Sequence, residues 1–219
     1  MADVAKSWLL QKDLLYSAVL ADTLDALGHR NSVLPPRIRP LAPHWRVLGR
    51  AVTLNMVSTS VEPEHPYQLE MECIDSLQPG DVLVATANGD PGCALWGELL
   101  STACRARGAC GVILDALTRD AAKILALDFP VFAAGFSPLD SRGRLEGAYY
   151  NQPIQVGDCT VHPADWVFAD IDGVVVVPAK LAAETFARAL EKLAGENLVR
   201  EELAAGKSVR ETFAKHGIL

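Results

Sequence analysis

Residues 87–120, ANGDPGCALWGELLSTACRARGACGVILDALTRD, decide the fold class of this 219-residue chain. They contain a glycine-rich loop, a helix predicted over 94–107, an apolar strand, and an Arg-Asp pair that follows the strand. Short apolar runs, which are typical of strands buried in a parallel sheet, lie at 82–86, 110–114 and 130–134. Because a second helix is predicted over 120–127, strands and helices alternate. This pattern indicates an α/β fold with parallel strands and right-handed crossovers.

The rest of the chain carries further local signals. Further elements are predicted as a helix over 13–27, one or two strands over 47–57 and a short helix over 67–75. An Asp-Gly pair between two apolar runs predicts a β-hairpin over 167–178. Pro178 favours the start of a long helix that reaches about residue 193, and we expect Gly195 to interrupt it.

The composition limits the classes of function. Half of the residues are hydrophobic and the net charge is −7, so a large core is possible and no basic stripe indicates a nucleic-acid binder. No apolar run is long enough to span a membrane. The first residues lack a signal-peptide pattern, and the five cysteines form no CxxC pair. We therefore expect a cytoplasmic protein with reduced thiols.

Candidate functional residues follow two of the predicted strands. The 87–93 loop and the Arg119-Asp120 pair are expected at the carboxyl edge of the sheet, where α/β proteins bind ligands. A helix N-terminus offers N–H groups to an anion, an arginine offers a planar fork to a carboxylate, and an aspartate can bind a hard cation. The same residues also fit a tight strand-to-helix turn, with Asp120 capping the next helix.

The spacing of Glu98, twenty intervening residues and Arg119-Asp120 resembles the signature of the RraA-like superfamily. That group contains the class II 4-hydroxy-4-methyl-2-oxoglutarate/4-carboxy-4-hydroxy-2-oxoadipate aldolases and the regulators of ribonuclease E activity. Supporting segments are DTLDALG from Asp22, VLGRAVTL from Val47, PGD from Pro79, PVFAAGFSP from Pro130 and DIDGVVVVP from Asp170. The resemblance runs from about residue 13 to residue 219.

The resemblance implies a three-layer β/β/α sandwich with a C-terminal helical extension. Residues 1–178 would form the RraA-like α/β domain, and the helices of 179–219 would pack on the same domain or on a neighbouring subunit. It also implies a homotrimer or homohexamer with sites between subunits, and no nucleic-acid or membrane partner.

The resemblance also assigns roles to individual residues. The backbone N–H groups that would bind the carboxylate of a small 2-oxo acid belong to Gly97, Glu98, Leu99 and Leu100. Arg119 would hold the pyruvyl oxygens and stabilise an enolate, and Asp120 would coordinate Mg²⁺ or Mn²⁺. Glu98 stands where the aldolases have aspartate and would orient water near the cation. Glu196 matches a glutamate that the adjacent subunit supplies.

These roles predict a metal-dependent lyase that cleaves 4-hydroxy-2-oxo acids to pyruvate and decarboxylates oxaloacetate as a side activity. The alternative is a non-catalytic RraA-type regulator of ribonuclease E, or another protein-binding module, because those relatives share the Arg-Asp segment. A Schiff-base mechanism is disfavoured, since Lys123 is the nearest lysine and is expected to face solvent.

Overall fold

The computed structural model describes Trp8, residues 12–89 and residues 92–218. Its helices are α1 Ser17–Ala26, α2 Gln68–Ser76, α3 Glu98–Ala106, α4 Ala121–Leu127, α5 Ala182–Ala204 and α6 Val209–His216. Its strands are β1 Arg39–Pro40, β2 Val47–Ser58, β3 Asp81–Thr86, β4 Ala94–Trp96, β5 Gly111–Thr118, β6 Val131–Phe136, β7 Leu145–Tyr150, β8 Ile154–Val156, β9 Cys159–Val161, β10 Trp166–Asp170 and β11 Gly173–Val177.

One mixed sheet organises the chain. Its strand order is β1-β6-β5-β3-β2-β10-β11, with β4 added to β5 and β7 added to β2. Strands β3, β5 and β6 are mutually parallel, as the alternating pattern predicted, and β2 pairs in parallel with β3. The hairpin β10–β11 is antiparallel and extends the sheet from β2. This nearly closed sheet with helices on it confirms the predicted fold class, the three-layer β/β/α sandwich.

Two apolar clusters fill the space between the layers. The larger one contains the central parallel strands, whose side chains are buried on both faces, as in β3, where all six residues are buried. The smaller one packs α1 and α5 against the hairpin β10–β11, with Phe168 and Phe186 fully buried. In the central parallel strands, burial on both faces explains why their sequences are continuous apolar runs rather than alternating apolar and polar residues.

The predicted helix over 94–107 begins later than expected. Residues Ala94–Trp96 form strand β4, which pairs with the end of β5. The helix α3 starts at Glu98, because Gly97 is still extended, with φ −157°. Ala94, Leu95 and Trp96 are all buried, so pairing and burial outweigh the helical propensity of this short segment.

The predicted interruption at Gly195 is also wrong. Helix α5 runs without a break through Gly195, and it begins at Ala182 after a turn in which the Leu181 N–H donates to the Pro178 carbonyl oxygen. A β-carbon at Gly195 would lie only 2.7 Å from Cδ1 of Ile218. Close packing of Ile218 against α5 therefore explains why glycine occurs here, although glycine inside a helix costs about 1 kcal/mol of stability relative to alanine.

The helices were compared with the requirements of a membrane-spanning segment. Across Trp8, 12–89 and 92–218, no helix combines the length and the apolar character that a bilayer span requires.

Candidate functional site

A cavity of about 250 Å³ opens where the parallel strands end. Its lining includes Tyr67, which precedes α2, Arg119 and Asp120, which follow β5, and Asp140, which follows β6. The start of helix α3, at Gly97, closes one side. The structure therefore places the Arg119-Asp120 pair at the carboxyl edge of the sheet, where the sequence predicted it, and brings Gly97 beside the pair.

Backbone pairing fixes the position of Arg119. Its N–H donates to the carbonyl oxygen of Trp96 at 2.9 Å, and the Thr118 hydroxyl donates to the same oxygen at 3.2 Å. Strand β4 is thereby tied to the end of β5. The loop that precedes α3 and the Arg-Asp pair consequently form one local structure, although Trp96 and Thr118 lie 22 positions apart in the sequence.

Gly97 lies directly against the Asp120 carboxylate. A β-carbon at Gly97 would approach Oδ2 of Asp120 to 2.8 Å and Cγ of Arg119 to 3.4 Å. The extended backbone of Gly97 could be adopted by any residue. Glycine is required at this position because a β-carbon would collide with the Asp120 carboxylate. Asp120 has a left-handed backbone, with φ 58°, a conformation that aspartate and asparagine tolerate better than most residues.

The side chain of Asp120 does not cap the next helix. It occupies the position before α4, yet it makes no capping hydrogen bond there. Its Oδ2 instead lies 3.4 Å from the backbone nitrogen of Glu98 and 3.9 Å from Nε of Arg119. The purely structural interpretation of Asp120 as a helix cap is therefore wrong.

Asp140 and Tyr67 complete the polar wall of the cavity. Oδ1 of Asp140 lies 3.4 Å from Nη2 of Arg119, and the Tyr67 hydroxyl donates a 2.6 Å hydrogen bond to Oδ2 of Asp140. The backbone N–H of Ser141 donates to Oδ1 at 2.8 Å. Arg119 is thus placed between two carboxylates, those of Asp120 and Asp140.

The protonation of this wall follows from its contacts. Burial by itself raises the pKa of Asp140, but the Tyr67 hydrogen bond, the charge of Arg119 and backbone N–H groups outweigh burial and hold the pKa below its ordinary value. Burial, together with the bond to Asp140, raises the pKa of Tyr67 to about 12. At neutral pH, Asp140 is a carboxylate and Tyr67 is its neutral donor.

Helix α3 presents its N-terminus to the cavity. Its N-cap residue, Gly97, has no side chain, and the Glu98 N–H donates a long hydrogen bond of 3.4 Å to Oδ2 of Asp120. The N–H groups of its first turn, which include those of Glu98, Leu99 and Leu100, lack the carbonyl partners that later turns provide. Gly97, Leu99 and Leu100 line the cavity, so a carboxylate there would meet both these donors and the positive end of the helix dipole.

The structure places Glu98 differently from its neighbours. Its side chain accepts a 2.9 Å hydrogen bond from the Thr102 hydroxyl on the same helix, and it is not among the residues that line the cavity. A role for the Glu98 carboxylate would require it to leave Thr102.

Glu196 lies in another part of the chain. It borders a cleft of about 520 Å³ between α1 and α5, with Tyr16, Asp22 and Arg200, and it accepts a short hydrogen bond from the Tyr16 hydroxyl. Burial, with the Glu196 contact, raises the pKa of Tyr16 to about 12. A single chain therefore does not join Glu196 to Arg119, and its predicted role stays a prediction about a neighbouring subunit.

The donor set at Asp120 fits a hard divalent cation. Its carboxylate side chain is 39% exposed and faces the cavity, and Mg²⁺ commonly binds through one or two carboxylates while keeping several waters. Within the described parts of the chain, no group of three or more His, Cys, Asp or Glu residues is arranged for a metal. A cation here would therefore take most of its ligands from water and substrate.

Sequence reasoning missed Asp140 and Tyr67. Asp140 follows β6, the next parallel strand after β5, so the carboxyl-edge rule that indicated Arg119 could also have found it. Tyr67 gave no comparable signal, because it precedes helix α2 and reaches the cavity only through tertiary packing.

The chain is similar in sequence to a known protein family and to several known proteins. The model of the RraA-like family, described as Aldolase/RraA, matches residues 17–176. Protein DlpA of Legionella pneumophila is 26% identical over 195 residues, which cover 89% of this chain and 31% of that protein. A Halalkalibacterium halodurans protein with the provisional name 4-hydroxy-4-methyl-2-oxoglutarate aldolase is 27% identical over 196 residues, 90% of this chain and 88% of that one.

A solved structure agrees with both the fold and the family. Streptomyces coelicolor RraAS2, described as an unusual member of the RNase ES inhibitor RraA protein family, superposes with a TM-score of 0.76 at 30% identity. The alignment covers 85% of this chain and 91% of that chain.

Proposed function

Because the chain belongs to the RraA-like family, we propose that it is a divalent-metal-dependent lyase that releases pyruvate from 4-hydroxy-2-oxo acids. Substrates similar to 4-hydroxy-4-methyl-2-oxoglutarate are the first candidates, since a relative carries that aldolase name. Decarboxylation of oxaloacetate is the expected side activity, because it passes through the same pyruvate enolate.

One observation carries this proposal. Arg119, Asp120 and the N-terminus of α3 meet in one cavity, with Gly97 packed against the Asp120 carboxylate. A guanidinium, a cation-binding carboxylate and a set of backbone N–H donors are the groups that a small 2-oxo acid requires.

Substrate binding follows from these groups. The N–H donors of Glu98, Leu99 and Leu100 would receive the carboxylate of the 2-oxo acid, and the helix dipole would favour its negative charge. Arg119 would donate to the pyruvyl oxygens through its planar fork. Together they would orient the C3–C4 bond of the substrate within the cavity.

Bond cleavage requires a base and a stabilised product. Glu196 of an adjacent subunit, or water that Glu98 orients, would accept the proton of the 4-hydroxyl group. As the C3–C4 bond breaks, its electrons move toward the keto oxygen, and Arg119 stabilises the negative charge that develops there. Such stabilisation is commonly the largest contribution to catalysis.

Asp120 would hold Mg²⁺ or Mn²⁺. When bound, the cation supplies Lewis-acid polarisation of the 2-oxo group. The contribution of the chain is to present Asp120 as a half-exposed carboxylate beside Arg119.

We extend the proposal to assembly and location. A homotrimer or homohexamer would place Glu196 of one subunit near the cavity of the next, and the 77% exposure of Leu99 at the cavity mouth supports contact with another chain. A cytoplasmic location agrees with the absence of disulfide bonds among the cysteines that the structure describes. Analytical ultracentrifugation would distinguish the two oligomers from a monomer.

The second candidate function is regulation of a ribonuclease or binding to another protein partner without catalysis. The similarity to RraAS2, a member of an RNase ES inhibitor family, favours it. The two functions differ in whether the cavity turns over substrate.

The deciding experiment measures pyruvate release from 4-hydroxy-4-methyl-2-oxoglutarate and from oxaloacetate, with Mg²⁺, with Mn²⁺ and with EDTA. We expect turnover that EDTA abolishes and added cation restores. An absence of pyruvate with both cations and both substrates would contradict the lyase proposal and favour the regulator.

A further inference from the structure

Three groups hold the side chain of Asp140 at the edge of the cavity. Its Oδ2 accepts a 2.6 Å hydrogen bond from the Tyr67 hydroxyl, and its Oδ1 accepts one of 2.8 Å from the backbone N–H of Ser141. The same Oδ1 lies 3.4 Å from Nη2 of Arg119. Two neutral donors thus fix the orientation of the carboxylate, and the guanidinium of Arg119 is its charged partner.

The backbone on both sides of this ion pair is anchored to strand β4. The Ala94 N–H donates to the carbonyl oxygen of Leu139 at 2.8 Å, and Ala94 forms an isolated β-bridge with Asp140. At the other end of β4, the carbonyl oxygen of Trp96 accepts from the Arg119 N–H at 2.9 Å. One short strand therefore sets the spacing between the backbones of Arg119 and Asp140.

Asp120 is the second carboxylate near Arg119, with Oδ2 at 3.9 Å from Nε. In the proposed function Asp120 binds the divalent cation, whose charge offsets that carboxylate. Asp140 is then the carboxylate that keeps the guanidinium in place. Its contacts with Tyr67, Ser141 and Arg119 all lie within one chain, so they do not depend on groups that a neighbouring subunit would add to the cavity.

The orientation of Arg119 matters because its planar fork binds oxygens well only in the correct geometry. Misplacement of a catalytic group by about 1 Å can lower a rate by about a hundredfold. We infer that Asp140 is a positioning residue, which fixes the guanidinium of Arg119 for the charge that develops on the keto oxygen, and that Tyr67 fixes Asp140 in turn. The inference rests on the proposed lyase function and adds two residues to its site.

A positioning role and a simple charge effect predict opposite results when Asp140 loses its charge. Removal of a negative charge beside the cavity would by itself favour both an anionic substrate and the enolate that forms from it. Misorientation of Arg119 would instead weaken the stabilisation of the transition state, which lowers kcat while KM changes little. The direction of the change in kcat therefore separates the two explanations.

The first test measures kcat and KM for pyruvate release, with Mg²⁺, from 4-hydroxy-4-methyl-2-oxoglutarate or oxaloacetate, whichever the wild type turns over. We expect kcat to fall by about tenfold or more in Asp140→Asn and by about threefold in Tyr67→Phe, with KM within about twofold of the wild type. The matched controls are Asp25→Asn, at an exposed position of α1, and Tyr149→Phe, in β7 and outside the cavity lining. Both controls should retain the wild-type kcat and KM.

A binding measurement tests the same role without turnover. Oxalate is a planar dianion that resembles the enolate of pyruvate, so its binding should depend strongly on the groups that stabilise the developing charge. In calorimetric titrations with Mg²⁺, Asp140→Asn should weaken the binding of oxalate by about tenfold relative to that of pyruvate. A charge effect alone would strengthen it, because oxalate carries the larger negative charge.

Two results would overturn the inference. One is a folded Asp140→Asn, as judged by its circular dichroism melt, in which either kcat or the affinity for oxalate relative to pyruvate is not reduced. The other is a kcat of Tyr67→Phe no lower than that of Tyr149→Phe, a result that stands even if Asp140→Asn does not fold. An absence of pyruvate release by the wild type from both substrates would instead contradict the proposed function itself, so the two failures are distinguishable.

Discussion

The cavity at Arg119 and the cleft at Glu196 both contain carboxylates, but different parts of the fold hold them. At the cavity, strand pairing between β4 and β5 and the contact of Gly97 with Asp120 fix the backbone on both sides. At the cleft, the side chains of two helices meet, and one hydrogen bond from Tyr16 holds Glu196. The first arrangement is set by the sheet, whereas the second depends on side chains that can move.

The two places differ in whether the backbone or side-chain contacts hold their charged groups. Backbone constraints keep the carboxylate of Asp120 beside Arg119. Glu196, in contrast, is paired within its own chain and would have to exchange Tyr16 for another contact before acting elsewhere. Variants at each place should therefore affect activity and stability in different proportions.

The largest effect is expected for Asp120→Asn. Asparagine tolerates the left-handed backbone of this position, so the free energy of unfolding should change little. The loss of the cation-binding charge should lower kcat/KM for pyruvate release by at least about a hundredfold. Steady-state assays over a range of Mg²⁺ concentrations, with circular dichroism melts, measure both quantities. A variant with nearly wild-type kcat/KM would remove Asp120 from the mechanism.

A smaller effect is expected for Gly97→Ala. The extended backbone accepts alanine, but the new methyl group would lie 2.8 Å from Oδ2 of Asp120 and must displace that carboxylate. We expect kcat/KM to fall by about tenfold, because misplacement of a catalytic group by fractions of an ångström is costly.

The control for Gly97→Ala is the same substitution made in Asp120→Ala, where the obstructing oxygen is gone. Gly97→Ala should cause no further loss of activity in that background. Fully additive losses would mean that Gly97 acts through another contact, such as the one with Arg119.

The smallest effect is expected for Tyr16→Phe in the cleft. The variant removes the hydrogen bond to Glu196, so near neutral pH it should lower the free energy of unfolding by about 1 kcal/mol. Pyruvate release by a preparation of fixed oligomeric state should change less than in the two cavity variants. Urea unfolding monitored by fluorescence measures the difference between the variant and the wild type.

The pH dependence of that difference sharpens the test. The pKa of Tyr16 is raised from its ordinary 10.0 to about 12 in the fold, so the folded state holds the proton more tightly than the unfolded state. The stabilisation by Tyr16 is therefore fully present below pH 10 and is lost as the pH rises through 12. A difference between wild type and Tyr16→Phe that grows over this range would contradict the assigned contact.

The sequence predicted the parallel strands well because they are buried on both faces and flanked by turn residues. The sequence predicted secondary structure less well where tertiary contacts override local propensity. Ala94 and Leu95 favour a helix, yet their segment pairs with β5 and forms a strand. Gly195 is a helix breaker by propensity, yet contact with Ile218 keeps it inside α5. In both cases a distant segment decided the outcome, and local pattern carries no information on it.

The residues of the candidate site also fall into those that the sequence predicted and those that depend on tertiary contacts. Arg119 and Asp120 could be found from the sequence because they directly follow a strand, and all parallel strands deliver their ends to one edge. The contact of Gly97 with Asp120 could not, although the glycine itself was noticed. Tyr67 reaches Asp140 across 73 positions of the chain, so no spacing rule connects them.

Apolar periodicity and turn residues act locally, so the amino-acid sequence alone specifies the alternation of buried strands and helices, and with it the edge on which Arg119 and Asp120 lie. Contacts between distant segments place Asp140 and Tyr67 beside Arg119, start α3 at Gly97 against the Asp120 carboxylate, and put Glu196 in a separate cleft. The physical reason is that charge pairing and close packing depend on distances in space, which segments far apart in the chain set together.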